Sequence, residues 1–107
     1  MGMSSDPIPF KLCDATMLRL VREAARDSGR VFVVAHAKRR MRERQITLTQ
    51  VLDCLRRGSI CEPACVNIHG HWQCTLARRH AGDDIRVATV LERRDDAGQW
   101  VIVVTVF

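Results

Sequence analysis

The sequence predicts an α+β fold, with N-terminal helices packed on a four- to five-stranded antiparallel sheet. Helical patterns occupy the first half of the chain, and strand patterns fill most of residues 60–107. Helices followed by a run of strands are typical of α+β domains. A chain of 107 residues, 47% of them hydrophobic, supplies one core. We therefore expect a single domain over residues 10–107, preceded by a flexible leader over residues 1–9.

The first expected helix covers residues 14–28 and carries one apolar stripe. The members of the stripe recur at the spacing of a helix face, at Met17, Leu20, Val21 and Ala24. Gly29 follows and is expected to end the helix. The run Val31–Ala35 is rich in β-branched residues and predicts a short buried strand. A second, basic helix is expected from His36 to Arg44.

The third expected helix, over residues 47–57, has the clearest local signal. Thr47 and Gln50 have the spacing of a capping box, with Thr47 as the N-cap. Ile46 and Val51 match the hydrophobic staple that often accompanies such a box. Gly58 suits the C′ position after the last helical turn.

Four strands are expected after Gly58. They cover Ile60–Ile68, Trp72–Arg78, Ile85–Arg93 and Trp100–Phe107. Residues 69–71 are a candidate hairpin turn, and Asp95–Gly98 carries a stronger turn signal. The last strand is apolar on both faces, which predicts an interior position in the sheet.

The basic residues are mostly arginine and are concentrated on the second helix. Net charge is +5, from 15 Arg and 2 Lys against 12 acidic residues. Five basic residues and one acid lie between His36 and Arg44. Guanidinium groups bind phosphate through paired hydrogen bonds, so an anionic partner is expected, with RNA the leading candidate. A solvated helix face is the simpler alternative.

On a helical projection, the second helix has an apolar side formed by Ala37 and Met41. One basic set points away from it and is a candidate for phosphate contacts: Lys38, Arg39 and Arg42. A second set flanks the apolar side, where neighbours can position side chains: His36, Arg40 and Arg44. The alternative for the second set is packing by the arginine stems, with His36 at a strand end.

The second set has the chemistry for cleaving RNA through its own 2′-hydroxyl. His36 is the natural proton acceptor or donor, because imidazole titrates closest to neutral pH. Arg40 and Arg44 would stabilise the charged phosphorane. This reaction needs neither metal nor cofactor, and we expect none.

Five cysteines raise the alternative of a zinc site. Cys61, Cys65 and Cys74, with His69 and His71, have the right ligand types. Residues 61 and 65 would lie about 13 Å apart on a regular strand, which is too far for one ion unless Pro63 breaks the strand. A two-residue loop at His69-Gly70 would place Cys65 opposite Cys74, and a three-residue loop ending at Gly70 would not. Reduced thiols without metal are the expectation.

The open face of the sheet has polar candidates whose facing the sequence leaves ambiguous by one residue. They are Glu62, Arg78, Arg79, His80 and Arg86, of which Arg86 is the candidate for nucleic-acid contact. No apolar run approaches the ~20 residues of a membrane helix, and the N-terminus lacks a signal-peptide pattern. A cytoplasmic protein with no membrane partner is expected.

The chain resembles the domain-of-unknown-function 4258 family over residues 31–107. The resemblance rests on the segment His36–Ile46 and on Val51, Leu55, Gly58, Gly70-x-Trp72, Ile85-Arg86-Val87 and Val104–Phe107. The family usually has glycine where Gln45 stands, which concerns the turn after the second helix.

This family is similar to the RelE/ParE-like toxins and to the barnase-, EndoU- and colicin-like ribonucleases. The resemblance implies a metal-independent, toxin-like endoribonuclease paired with an antitoxin. It also implies catalytic roles for His36, Arg40, Arg44 and, more weakly, Thr105. A non-catalytic module that binds nucleic acid or protein through the same basic face is the alternative.

Overall fold

The computed structural model describes residues 13–93 and 99–107 and has the expected α+β architecture. Its helices are α1 Asp14–Ala25, α2 Ala35–Arg44 and α3 Leu48–Arg57, with a 3₁₀ turn at Ser28–Arg30. Its strands are β1 Val31–Val33, β2 Ser59–Val66, β3 Trp72–His80, β4 Asp83–Arg93 and β5 Gln99–Val106. The expected leader over residues 1–9 and the expected turn at Asp95–Gly98 both lie outside the described residues. None of the helices in the described ranges is long and apolar enough to cross a membrane.

The strand order is β1-β5-β4-β3-β2, and β2 to β5 form an antiparallel meander. β5 therefore has neighbours on both sides, as its two apolar faces predict. β1 joins the meander parallel to β5, with Val31 opposite Val101. A parallel edge strand was not part of the sequence prediction, because the crossover from β1 to β5 spans most of the chain.

Two boundaries of the N-terminal half differ from the prediction. β1 is a three-residue edge strand, not a buried one, and Phe32 is 52% exposed. Among the described strands it pairs with β5 alone, at one edge of the sheet. α1 ends at Ala25, before Gly29. The Asp27 side chain then accepts the Gly29 N–H at 2.9 Å and caps the 3₁₀ turn instead.

The core lies between the helices and one face of the sheet. One cross-strand row, Leu76–Val87–Val106, is fully buried and belongs to the same cluster as Met17 and Leu55 from the helices. Side chains alternate along a strand, so the neighbouring row points to the opposite face. That row is Thr75–Ala88–Thr105. We call the face of the sheet on which this row lies the open face.

The capping box of α3 is confirmed, but Gly58 acts differently from the prediction. Thr47 Oγ1 accepts the Gln50 N–H at 3.2 Å, and Gln50 Oε1 accepts the Thr47 N–H at 2.9 Å. Gly58 occupies the C-cap, not C′, in an extended conformation with φ −69°. A Cβ there would lie 2.4 Å from the Cys54 carbonyl oxygen and 2.9 Å from that of Ala77. Glycine is required for this close approach of α3 to β3.

The β2–β3 hairpin has the longer of the two loops that the sequence left open. The Asn67 N–H donates to His71 O at 2.8 Å, which closes a three-residue loop ending at Gly70. Gly70 has φ 81°, as the last position of such loops requires. Cys65 therefore pairs with Gln73, and it does not lie opposite Cys74.

Candidate functional site

α2 is attached to the sheet by its first turn and presents its basic residues outward. The Val34 N–H donates to Val103 O at 3.2 Å, so the helix begins where β1 leaves β5. Ala37 is fully buried and Met41 partly buried, which confirms the predicted apolar side. The residues expected to point outward are all exposed: Lys38, Arg39 and Arg42.

The three candidate catalytic residues of α2 differ in how firmly they are held. His36 and Arg44 are exposed, whereas the side chain of Arg40 is only 33% exposed. Arg40 Nη1 lies 3.8 Å from Glu43 Oε1. Its Nε is buried and has no hydrogen-bond partner in the described part of the chain. Arg40 is therefore the most restrained of the three residues.

His36 contacts a cation. Its Nδ1 lies 3.4 Å from Arg39 Nη2. A guanidinium has no acceptor, so the imidazole accepts this weak hydrogen bond and carries its proton on Nε2. In this arrangement Nε2–H can donate to a phosphate oxygen. To accept a proton at Nδ1, His36 must first lose the contact with Arg39, whose side chain is exposed and free to turn.

Thr105, the fourth candidate catalytic residue, is not linked to the other three by hydrogen bonds or ion pairs among the described residues. It is half-buried in the open-face row opposite Ala88. Among the described residues, no hydrogen bond or ion pair connects it with α2. Arg86 lies two residues before Ala88 on β4 and is exposed, so the register places it on the same open face.

An ion-pair cluster around Asp53 was missed at the sequence level. Arg78 Nε lies 3.1 Å and His80 Nδ1 3.4 Å from Asp53 Oδ2, while Arg57 Nε lies 3.6 Å from Oδ1. The contact of His80 with Asp53 is within ion-pair distance but is not a hydrogen bond. His80 Nδ1 is buried and has no hydrogen-bond partner among the described residues. Asp53 is only 18% exposed.

This cluster resolves the facing of the candidate open-face residues. Arg78 and His80 point toward α3, whereas Glu62 and Arg86 belong to the open face. Asp53 is the one acidic residue of α3 and lies four residues before Arg57. A single acidic residue on this helix, four positions before an arginine, is the sequence signal that could have indicated the ion-pair cluster.

A shallow groove runs beside the C-terminal half of α2. Its volume is about 490 Å³, with Met41 and Ile46 among its lining and Lys38 and Arg42 alongside them. Gln45 also lines the groove, and its backbone has φ 56° and ψ 42°. Side chains rarely adopt this left-handed conformation, which suits glycine best. Gln45 adopts this conformation at the turn from α2 into α3.

The cysteines are free thiols of two kinds. Cys54 and Cys74 are buried, and burial raises the pKa of each to about 12. The other three are exposed, and a hydrogen bond from the Thr16 hydroxyl lowers the pKa of Cys13. Within residues 13–93 and 99–107, no group of three or more His, Cys, Asp or Glu side chains could hold a metal ion.

Comparison with known proteins assigns most of the chain to one family. Neither a curated protein nor a solved structure matches the chain. The family described as "Domain of unknown function (DUF4258)" matches residues 33–107, from the last residue of β1 to the C-terminal Phe107. This segment contains α2, α3 and the whole antiparallel meander. The chain therefore belongs to the DUF4258 family.

Proposed function

We propose that the protein acts on RNA as a metal-independent endoribonuclease that holds the phosphodiester backbone on α2. The observation that carries the proposal is the exposed basic side of this helix. Lys38, Arg39, Arg42 and Arg44 are all exposed, and the single acid of the helix, Glu43, lies near Arg40. Such a surface attracts phosphate and releases counterions on binding.

The chemistry of the proposal assigns a different task to each restrained group. Arg40, with part of its guanidinium buried, would stabilise the charge that develops on the phosphorane. His36 would accept the proton of the 2′-hydroxyl as a general base or donate a proton to the leaving oxygen as a general acid. Substrate phosphate would compete for Arg39 and so release His36 Nδ1, which would make the imidazole available as a base only in the complex.

A non-catalytic RNA-binding module is the second candidate, and the Arg39–His36 contact favours it. A neutral imidazole that carries its proton on Nε2 binds phosphate as a hydrogen-bond donor without transferring a proton. In this form of the proposal α2 supplies affinity only. Thr105, which forms no hydrogen bond or ion pair with α2 in the described part of the chain, would be a sheet residue and not part of a catalytic group.

The test compares purified wild type with His36→Ala on RNA substrates, at matched folded fraction. In a nuclease, His36→Ala should lower cleavage by about 100-fold or more and leave RNA binding within a few-fold, because proton transfer matters only in the transition state. Arg40→Ala should weaken both binding and cleavage. His69→Ala is the matched control, because His69 is also an exposed histidine but lies in the β2–β3 loop.

Each outcome selects between the candidates. Equal cleavage by wild type and His36→Ala would remove His36 from the mechanism. RNA binding without cleavage by the wild type would select the binding module. Absence of both would contradict the proposal. A toxin-like role with an antitoxin partner is the further extension, supported by the family resemblance; it predicts growth arrest when the wild type is induced and none with His36→Ala.

A further inference from the structure

The open face of the sheet contains a cavity that the α2 site does not use. Its volume is about 500 Å³, within the range of small-molecule sites. Nine residues from three strands line it, and they mix apolar, thiol and polar side chains: Pro63, Ala88, Val90, Cys65, Cys74, Glu62, Gln73, Thr75 and Thr89. Apolar walls with a few fixed polar groups are the usual composition of a site that accepts one flat organic group.

Glu62 is brought into this cavity by an irregularity of the edge strand β2. Glu62 pairs with Thr75, and the register of β2 against β3 shifts on both sides of this pair. β2 gains one residue between Ile60 and Glu62, and another between Glu62 and Cys65. Bulges re-aim side chains and are frequent beside functional sites, and Pro63 suits a position where no ladder hydrogen bond is donated.

The Glu62 carboxylate is held in place but not neutralised. Thr75 Oγ1 donates to Glu62 Oε1 at 2.6 Å, and Thr75 is only 5% exposed. In the described part of the chain, no cation lies within ion-pair distance of Glu62. Among residues 13–93 and 99–107, no hydrogen bond to its second oxygen is formed, so that oxygen can accept one from a ligand.

We propose that this cavity binds a nucleobase with adjacent N–H donors, guanine above all. This inference rests on the proposed action on RNA. Guanine places two donors side by side, which match the two carboxylate oxygens. Adenine and cytosine place an acceptor beside the amino group, and uracil flanks its single donor with two acceptors, so each of these would set a lone pair against Glu62.

Arg86 supplies the second half of a nucleotide site. It is exposed on the open face, two residues from Ala88 along β4, and therefore about 6.8 Å from it. A base in the cavity would extend its sugar and phosphate along this strand toward the guanidinium. Glu62 would then discriminate between bases, while Arg86 would contribute affinity regardless of sequence.

The test measures the affinity of the full chain for pentaribonucleotides that differ only at the centre, UUGUU, UUAUU, UUCUU and UUUUU. The wild type should prefer UUGUU over UUUUU by about 5- to 150-fold, the range of one well-placed bidentate contact. Glu62→Gln should abolish this preference, because an amide replaces one acceptor oxygen by a donor. Thr75→Val, which removes the hydroxyl that orients Glu62, should reduce it partially.

Glu23→Gln is the matched control, because it makes the same change in charge on the exposed side of α1. It should raise affinity for all four oligonucleotides equally and preserve the preference. Equal affinity of the wild type for all four would overturn the inference and leave the proposed function standing. Loss of the preference in Glu23→Gln would also overturn the assignment to Glu62.

Guanosine monophosphate provides a readout that does not depend on α2. In NMR spectra it should shift the amide signals of Gln73, Thr75 and Ala88 in the wild type, and not in Glu62→Gln. Shifts confined to α2 would contradict the cavity as the base site. Shifts in the cavity without any oligonucleotide binding would retain the nucleotide site and reject the proposed action on RNA.

Discussion

Replacing Gly58 tests the close approach of the end of α3 to β3. The Cβ of an alanine at this position would lie 2.4 Å from Cys54 O and 2.9 Å from Ala77 O, whereas ordinary contacts begin at 3.4 Å. Both atoms belong to the backbone, so no side-chain rotation relieves the overlap. The end of α3 would have to move away from β3, which would also strain the 2.7 Å hydrogen bond from the Gly58 N–H to Cys54 O.

We expect Gly58→Ala to lower the free energy of unfolding by about 3 kcal/mol, the upper end of the usual cost of overpacking. For a domain near 100 residues this corresponds to a decrease in Tm of roughly 12–24 °C. Urea unfolding followed by circular dichroism measures the first quantity, and the m value should not change.

Two further variants separate close approach from backbone conformation. Gly58→Asn should be at least as destabilising as Gly58→Ala, although asparagine tolerates positive φ, because φ at this position is −69°. Gly82→Ala is the opposite case, with φ +86° and no atom within 4 Å of the added Cβ, and should cost about 1 kcal/mol. A Gly58→Ala protein as stable as Gly82→Ala would refute the reasoning.

The remaining predictions concern stability, thiols, metal and salt. Gln45→Gly should raise the free energy of unfolding by about 1 kcal/mol, since it relieves a left-handed conformation, and a decrease would contradict this reading. Mass spectrometry after alkylation at pH 8 should show the three exposed thiols labelled in the folded protein and Cys54 and Cys74 labelled only in denaturant. The pKa of these two is about 12 in the fold against 9.0 when exposed, so stability should fall as pH rises from 9 toward 12, the range in which only the unfolded thiols ionise. Elemental analysis should find no tightly held zinc; one zinc per chain would revive the cysteine–histidine site. Replacing Arg39 and Arg42 by alanine should reduce the slope of log K for RNA against log salt by up to ~2, and an interaction independent of salt would indicate a protein partner instead.

Features that depend on neighbours in the chain could be predicted from the sequence. The capping box of α3 joins residues three positions apart, and the buried side of α2 follows from the spacing of Ala37 and Met41. The interior position of β5 follows from its apolar residues on both faces. In each case the informative residues are separated by a few positions, so helix and strand geometry bring them together without help from the rest of the fold.

The residues on the open face and the partners in the ion pairs depend on the register of the strands. Register could not be predicted from the sequence. A register shift of one residue would move Arg78 from the face that contacts Asp53 on α3 to the opposite face. A shift of one residue would likewise move Glu62 away from the open face. Two bulges in β2 set the facing of Glu62, and no local pattern marks bulges reliably. The facing of these residues is therefore a property of the whole sheet.

By itself the sequence determined the α+β class, the helix α3 with its cap and the basic side of α2, because short-range hydrogen bonds and hydrophobic spacing specify them. Only the tertiary structure decided that Gly58 serves close packing, that His36 contacts Arg39 and that Glu62 lies in a cavity beside Thr75. The physical reason is that the neighbours of a side chain belong to several helices and strands, so they depend on how these elements are placed relative to one another. A shift of one residue in any strand changes them, whereas the pattern within each element stays the same.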